Sequence, residues 1–173
     1  MSLSVDFKKI TTLIFDIDGT LTDGRISWDS NGNAVKFFNV QDMHWIKLAL
    51  RAGLRVGVLS GRDDAVNRAL VRDLKLSFAV MDAKDKLAGF EQLLQSLQIC
   101  AGECLYMGDD VVDMPVLRRA GAGFAVADAV PEVDEVISRR TKAAGGRGAA
   151  AEVIRKVLQV QGLYDNIMER YRR

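Results

Sequence analysis

Cysteine is scarce in this chain: Cys100 and Cys104 are the only two. Two are too few for a disulfide framework, and no second pair completes a set of thiolate metal ligands. They read as small structural side chains in a reducing compartment. Net charge is equally scarce, at a formal +1. Such a balance projects no general basic field toward nucleic acid and no acidic one toward basic partners. No apolar stretch approaches membrane-spanning length. Met1 to Lys9 lack a basic start followed by a long apolar run, so no signal peptide is expected. No internal repeat, low-complexity segment or dividing linker is found. The expectation is a soluble, cytoplasmic chain without nucleic-acid or membrane partners, forming one domain over residues 1–173.

What is present is an ordinary globular balance, 49% hydrophobic and 27% charged over 173 residues. Short apolar runs alternate with helical patterns, which predicts an α/β fold. Strands are expected at Thr12 to Ile17, Leu54 to Leu59, Ser77 to Val80, Cys104 to Met107 and Gly123 to Val126. Helices are expected over about Asp42 to Ala52, Asp64 to Leu74, Met114 to Ala120 and Ala149 to Gln161. The clearest helix carries Leu87, Phe90, Leu93, Leu94 and Leu97 on one face. One segment breaks the alternation. Ser30-Asn31-Gly32-Asn33 is a turn signal flanked by Ile26, Trp28, Val35 and Phe37, and predicts a β-hairpin over about 25–38. Gly145-Gly146-Arg147-Gly148 is read as a flexible loop. Residues 162–173 are polar and basic and read as a partly ordered tail.

The chemistry concentrates at strand ends. Asp16-Ile17-Asp18-Gly19-Thr20 closes the first strand with two carboxylates at i and i+2, on one face. Ligands of open α/β sheets bind at the carboxyl ends of strands. Close carboxylates repel unless a cation or shared proton relieves them, and Mg²⁺ takes one or two carboxylates plus substrate phosphate. An acidic strand-to-turn boundary is the plainer alternative. The fourth strand ends in Gly108-Asp109-Asp110-Val111-Val112-Asp113, which can bring Asp109 beside Asp16. Its plainer reading is a helix start. Ser60-Gly61-Arg62 ends the second strand and offers a hydroxyl and backbone N–H groups to an anion. Lys86 opens a helix, where it opposes the macrodipole. It either neutralises a phosphoryl group there or is compensated by Asp82 and Asp85. Lys84 competes for the role but lies further from that helix.

These four motifs, in this order, resemble the haloacid dehalogenase superfamily of phosphatases, over about Thr12 to Gln161. The closest likeness is to the small capless subgroup that includes 3-deoxy-D-manno-octulosonate 8-phosphate phosphatase. Asp23-Gly24, the hairpin, Phe38-Asn39-Val40, Ala125 to Ala129 and Gly145 to Ala149 support it. The resemblance implies a Rossmann-like doubly wound parallel sheet with a hairpin after the first strand and no cap domain. The gaps from Asp18 to Ser60 and from Lys86 to Asp109 are indeed too short for a cap. It implies a Mg²⁺-dependent phosphomonoester hydrolase with Asp16 as nucleophile and Asp18 as acid and base. Mg²⁺ would be held by Asp16, the Asp18 carbonyl and Asp109. Ser60 and Lys86 would hold the phosphoryl oxygens, while Asp110 and Asp113 orient metal-bound water and Lys86. It also implies a homotetramer, with hairpin or tail contacts near a neighbour's site. Trp28 and Phe37 on the hairpin would otherwise be exposed apolar surface, which agrees with such packing; the alternative is that they fold onto their own domain.

The substrate implied is a phosphorylated sugar acid, which would place the enzyme in lipopolysaccharide sugar synthesis. Arg62 suits its carboxylate, or is a solvated helix-start arginine. Gly61 accompanies it, and Arg147 is a similar candidate. After Asn39-Val40 the subgroup shows Arg-Asp-Gly and a second glycine, whereas this chain has Gln41-Asp42-Met43-His44-Trp45. If that segment lines the pocket, a smaller or different substrate is expected; the alternative is neutral drift on a helix. His44, the sole histidine, has no part in the implied mechanism. The rival readings are a nonulosonate 9-phosphate phosphatase, a broad-range sugar phosphatase, and a receiver-like phospho-switch. A receiver lacks the second acid supplied by Asp18.

Overall fold

The five strands expected from the apolar runs form one parallel sheet, while the hairpin forms its own two-stranded ribbon. The computed structural model describes residues 6–173. Residues 1–5, on which part of the signal-peptide expectation rests, lie outside the described residues. The first strand, β1, spans Thr12–Phe15 and is buried throughout. The hairpin strands β2, Ser27–Trp28, and β3, Ala34–Val35, follow, and then helix α1, Val40–Arg51. Next come β4, Arg55–Leu59, α2, Ala65–Leu74, β5, Phe78–Val80, and α3, Lys86–Leu97. The chain continues through β6, Cys104–Gly108, α4, Met114–Arg119, and β7, Ala122–Ala125. It ends with α5, Ala149–Val160, and α6, Tyr164–Glu169.

The sheet order is β5-β4-β1-β6-β7. The chain winds outward from β1 through β4 and β5, then returns to β6 on the other side of β1. That reversal makes the crevice between β1 and β6 the topological switch point, where ligands bind in such sheets. Alternate strand residues face two cores. Leu13, Phe15, Leu105 and Met107 meet α1, α2 and α5, whereas Ile14 and Tyr106 meet α3 and α4. Helices thus cover both faces, as a parallel sheet requires. Only the hairpin and α1 lie between β1 and β4, and one single-turn 3-10 helix lies between α3 and β6. Neither interval holds a cap domain.

Two local expectations change. The Gly145 to Gly148 loop is pinned, because Gly145 N–H donates to Asp128 and Gly146 N–H to the Thr20 carbonyl. A Cβ on Gly145 would fall 1.8 Å from the Gly19 carbonyl oxygen, so only glycine permits this approach. The C-terminal segment is not merely a tail. Its Leu163, Tyr164 and Ile167 pack on the core, and Tyr164 stacks on Trp45 of α1 at 6.0 Å between ring centroids.

Candidate active site

The register of the central strands builds the site. Phe15 pairs with Met107 across β1 and β6, and the Asp16 N–H continues the ladder to the Met107 carbonyl. Asp16 therefore stands level with the Gly108-Asp109 exit of β6. Gly19 turns the chain at φ +92°, and a Cβ there would lie 2.0 Å from an Asp109 oxygen. This close approach lets the first loop meet Asp109, whose Oδ1 accepts a hydrogen bond from the Thr20 hydroxyl at 2.9 Å.

Lys86, at the first turn of α3, is buried between two carboxylates. Its Nζ lies 2.9 Å from Asp16 Oδ2 and 2.6 Å from Asp113 Oδ1. Asp85 instead caps α3, and Asp82 pairs with Lys84. The compensation of Lys86 considered from the sequence thus falls to Asp16 and Asp113. Burial alone would lower the Lys86 pKa, but the Asp16 and Asp113 charges outweigh it and raise it. Asp113 is fully committed. Its Oδ1 also accepts the buried Tyr106 hydroxyl, and its Oδ2 accepts the Asp109 and Asp110 N–H groups. Asp110 is exposed and caps the same turn through Val111 N–H.

Asp16, Asp109 and Asp113 offer carboxylate oxygens within 4.8 Å of one another. Burial, followed by the Asp113 charge, pushes Asp16 up to about 8 despite Lys86. The same two causes push Asp109 up to about 7. The cluster is short of positive charge, and a hard divalent cation with oxygen ligands supplies it. Because the Asp113 oxygens are already occupied, Asp16 and Asp109 are the carboxylates that fit such an ion.

The second acid has its own partner, which the motif reading missed. Lys36, just past β3, reaches Asp18 Oδ1 at 2.8 Å and Asp64 Oδ2 at 2.7 Å. It also donates to Asn67 Oδ1 at 2.8 Å. Lys36 Nζ donates its hydrogen bond to Asp18 Oδ2 at 3.1 Å, while the nearer Asp18 Oδ1 is buried and accepts none. A lysine amid Val35 and Phe37 looks like a solvated hairpin residue in sequence. Its alternation with those apolar neighbours points the lysine outward, so no local signal marks its burial.

These groups share one open cleft of about 610 Å³. Asp16, Asp18, Ser60, Gly61, Arg62 and Lys86 line it, as do Asp109, Asp110 and Lys84. Ser60 is buried at the end of β4, and its hydroxyl accepts Arg62 N–H at 3.2 Å. It is not itself at a helix N-terminus, since α2 begins only at Ala65. Arg62 approaches Asp18 at 3.5 Å. Arg147 lies outside the cleft lining, exposed and 3.8 Å from Asp23. None of Gln41 to Trp45 lines the cleft. Asp42 instead accepts Gly148 N–H at 3.0 Å and Ala151 N–H at 2.8 Å. The altered segment therefore serves packing against α5 and α6. His44 meets Tyr171 edge-on at 5.7 Å.

Comparison with known proteins agrees with this architecture. Residues 77–153 match the model of a haloacid dehalogenase-like hydrolase family. The chain is 37% identical over 155 residues to the 3-deoxy-D-manno-octulosonate 8-phosphate phosphatase KdsC of Haemophilus influenzae, covering 90% of this chain and 86% of that protein. Among solved structures it is similar to the 3-deoxy-D-manno-octulosonate 8-phosphate phosphatase of Moraxella catarrhalis. That structure is a complex with magnesium, phosphate and KDO, with a TM-score of 0.92, 30% identity and 95% of each chain covered. It is also similar to the cobalt-bound Haemophilus influenzae deoxy-D-mannose-octulosonate 8-phosphate phosphatase, with a TM-score of 0.87 and 36% identity, covering 91% of this chain and 92% of that one.

Proposed function

The chain belongs to the haloacid dehalogenase-like hydrolases and is a phosphatase, and from that premise we propose that it hydrolyses 3-deoxy-D-manno-octulosonate 8-phosphate through an aspartyl-phosphate on Asp16. The observation that carries the reading is the 37% identity to an enzyme of that activity over nearly the whole chain. The open acidic cleft around Asp16 is consistent with it.

In this reading Asp16 attacks phosphorus and the bond to the leaving sugar oxygen breaks. Asp18 gives its proton to that oxygen. Water then attacks the phosphorus of the aspartyl-phosphate, Asp18 takes a proton from it, and inorganic phosphate departs. Two easier steps replace one difficult one. Ser60 and Lys86 hold the phosphoryl oxygens, and phosphoryl transfer rests mainly on such positioning and neutralisation. Asp113 orients Lys86, and Asp110 shapes the loop beside it. Asp16, Asp109 and the Asp18 carbonyl would hold Mg²⁺, which when bound neutralises charge on the transferring group. In this reading Arg62, with Gly61 beside it in the cleft lining, would turn from Asp18 to take the sugar-acid carboxylate, which suits an octulosonate. Arg147 reaches a substrate only by leaving Asp23. Asp18 in the cleft argues against a receiver-like switch.

The assembly proposed is a homotetramer. Trp28, 65% exposed, and Phe37, 69% exposed, are large apolar side chains on a projecting hairpin, which a neighbouring copy would cover. A cytoplasmic enzyme of lipopolysaccharide sugar synthesis completes the proposal, consistent with the finding that no helix among the described residues is long and apolar enough to cross a membrane.

The test is phosphate release with Mg²⁺ from octulosonate 8-phosphate, nonulosonate 9-phosphates, hexose phosphates and an aryl phosphate, beside Asp16→Asn. Preference for the octulosonate, abolished in the variant, supports substrate and site together. Activity spread over the other sugars keeps the phosphatase and overturns the substrate. Unchanged activity in Asp16→Asn overturns the aspartyl-phosphate.

A further inference from the structure

The hairpin inverts the usual burial pattern. Val35 and Phe37 face outward, 38% and 69% exposed, while the lysine between them has a fully buried side chain. Burying an ammonium group is unfavourable unless its donors are satisfied. Lys36 meets that condition through Asp18, Asp64 and Asn67, a share of the molecule's buried polar contacts that lies beside the reacting centre. Two of these partners belong to the start of α2, since Asp64 is its N-cap and Asn67 lies in its first turn. The third is the carboxylate two residues after the nucleophile. The fold would need no such bridge to close the hairpin, which already pairs β2 with β3 and has Asp29 holding Asn31 and Asn33 at its turn.

The geometry points to Lys36 as a positioning residue. It clamps Asp18 between the hairpin and α2, so that the carboxylate stays aimed at the leaving oxygen and then at water. It does not touch the phosphoryl group and so is not itself a catalytic residue. This inference rests on the acid and base role proposed for Asp18. It also links hairpin seating to turnover, because Lys36 follows β3 directly and is followed by the exposed Phe37.

A leaving-group comparison tests it. Protonation matters for a sugar alkoxide and little for an aryl phosphate whose phenolate departs unprotonated, and positioned acids contribute about 10²–10⁴-fold. Lys36→Met keeps most of the buried stem and removes the charge. Single-turnover release of the leaving group, which reports the first step alone, should fall about 10²-fold for a sugar phosphate and less than about tenfold for p-nitrophenyl phosphate. KM should hold within about threefold for both, since ground-state binding is untouched. Equal losses on both substrates, or none on either, overturn the coupling. Lys36→Gln, which can still donate to one carboxylate, gives a smaller loss of the same selectivity and replaces the methionine variant if that one does not fold. Asp18→Asn runs alongside. Selective loss there with none in the Lys36 variants removes the coupling alone, whereas no selective loss in Asp18→Asn removes the acid and base assignment and the coupling with it.

Discussion

The Lys86 ammonium lies 2.9 Å from the Asp16 carboxylate, and this one contact couples stability and chemistry in opposite senses. Lys86 is the cation shared by Asp16 and Asp113, with Asp109 nearby. Removing it leaves like charges facing each other in a buried place. Lys86→Met should therefore cost about 3–5 kcal/mol, as when one partner of a buried pair is deleted. Asp16→Asn removes one of the competing carboxylates. It should keep or raise the stability of the metal-free protein by up to about 1–2 kcal/mol while abolishing turnover, as expected where function maintains strain. For a chain of this length each kcal/mol moves the melting temperature by about 2–4 °C. Thermal melts in EDTA decide the matter, and equal destabilisation by the two variants would contradict the account.

The same crowding gives the protein a pH dependence. Asp16 and Asp109 titrate at about 8 and about 7 in the folded chain, against an ordinary value of 3.8. Each binds its proton more tightly folded than unfolded. The stability they contribute is fully present below 3.8 and is lost as pH rises through about 7 to 8. Metal-free protein should thus melt at falling temperatures from about pH 4 to about pH 8, and added Mg²⁺ should flatten the trend because it binds the deprotonated carboxylates. A melting temperature independent of pH in EDTA would show that the acids are not crowded as described.

Asp42 joins two helices far apart in sequence, and its loss should be structural only. Its carboxylate receives Gly148 N–H and Ala151 N–H, while the N-cap of α5, Gly148, has no side chain to do so. Leaving those buried donors without a partner costs about 1–3 kcal/mol each. Asp42→Ala should lower stability by about 2–4 kcal/mol by that measure, with kcat/KM unchanged below the melting range. A denaturant titration beside initial rates separates the two, and a rate loss in fully folded protein would return Asp42 to the site.

How much of this was legible in the sequence follows from the range of each signal. The five strands were marked by local apolar runs, and each lies within about two residues of its expected place, the uncertainty usual at element ends. Asp16, Asp18, Ser60, Lys86 and Asp109 stood at strand or helix ends, and strand ends of a parallel sheet share one edge, so their gathering in one cleft could be foreseen. Lys36 and Tyr106 could not. Lys36 acts on residues 18, 64 and 67 through the seating of the hairpin on α2, and no local period encodes that. Tyr106 read as one more core strand residue, yet its hydroxyl braces Asp113 beneath the cleft. Asp42 read as a helix start because its capping partners lie more than a hundred positions away.

The segment Gln41 to Trp45 left two readings open in the sequence, a pocket wall or a packed helix face, and it yields the last prediction. Its large side chains suggested an altered pocket, but Trp45 stacks on Tyr164 and carries the Arg155 guanidinium 4.8 Å above its ring. His44 and Arg51 meet Tyr171 from the same helix. Arg155 is half-buried on α5 and steadies Trp45 itself, and the aromatic pair with Tyr164 adds about 0.5–1.5 kcal/mol beyond the area it buries. That is enough to hold a six-residue helix that is too short to be stable alone. Trp45→Ala should therefore release α6. Amide exchange over residues 164–169 should speed by about tenfold or more, as a loss of about 1.4 kcal/mol implies for locally opening amides. The ranking of phosphorylated substrates should not move, because no residue of 41–45 lines the cleft. A changed ranking with exchange unaltered would mean that the segment reads the substrate after all, through a surface this chain offers to a neighbour.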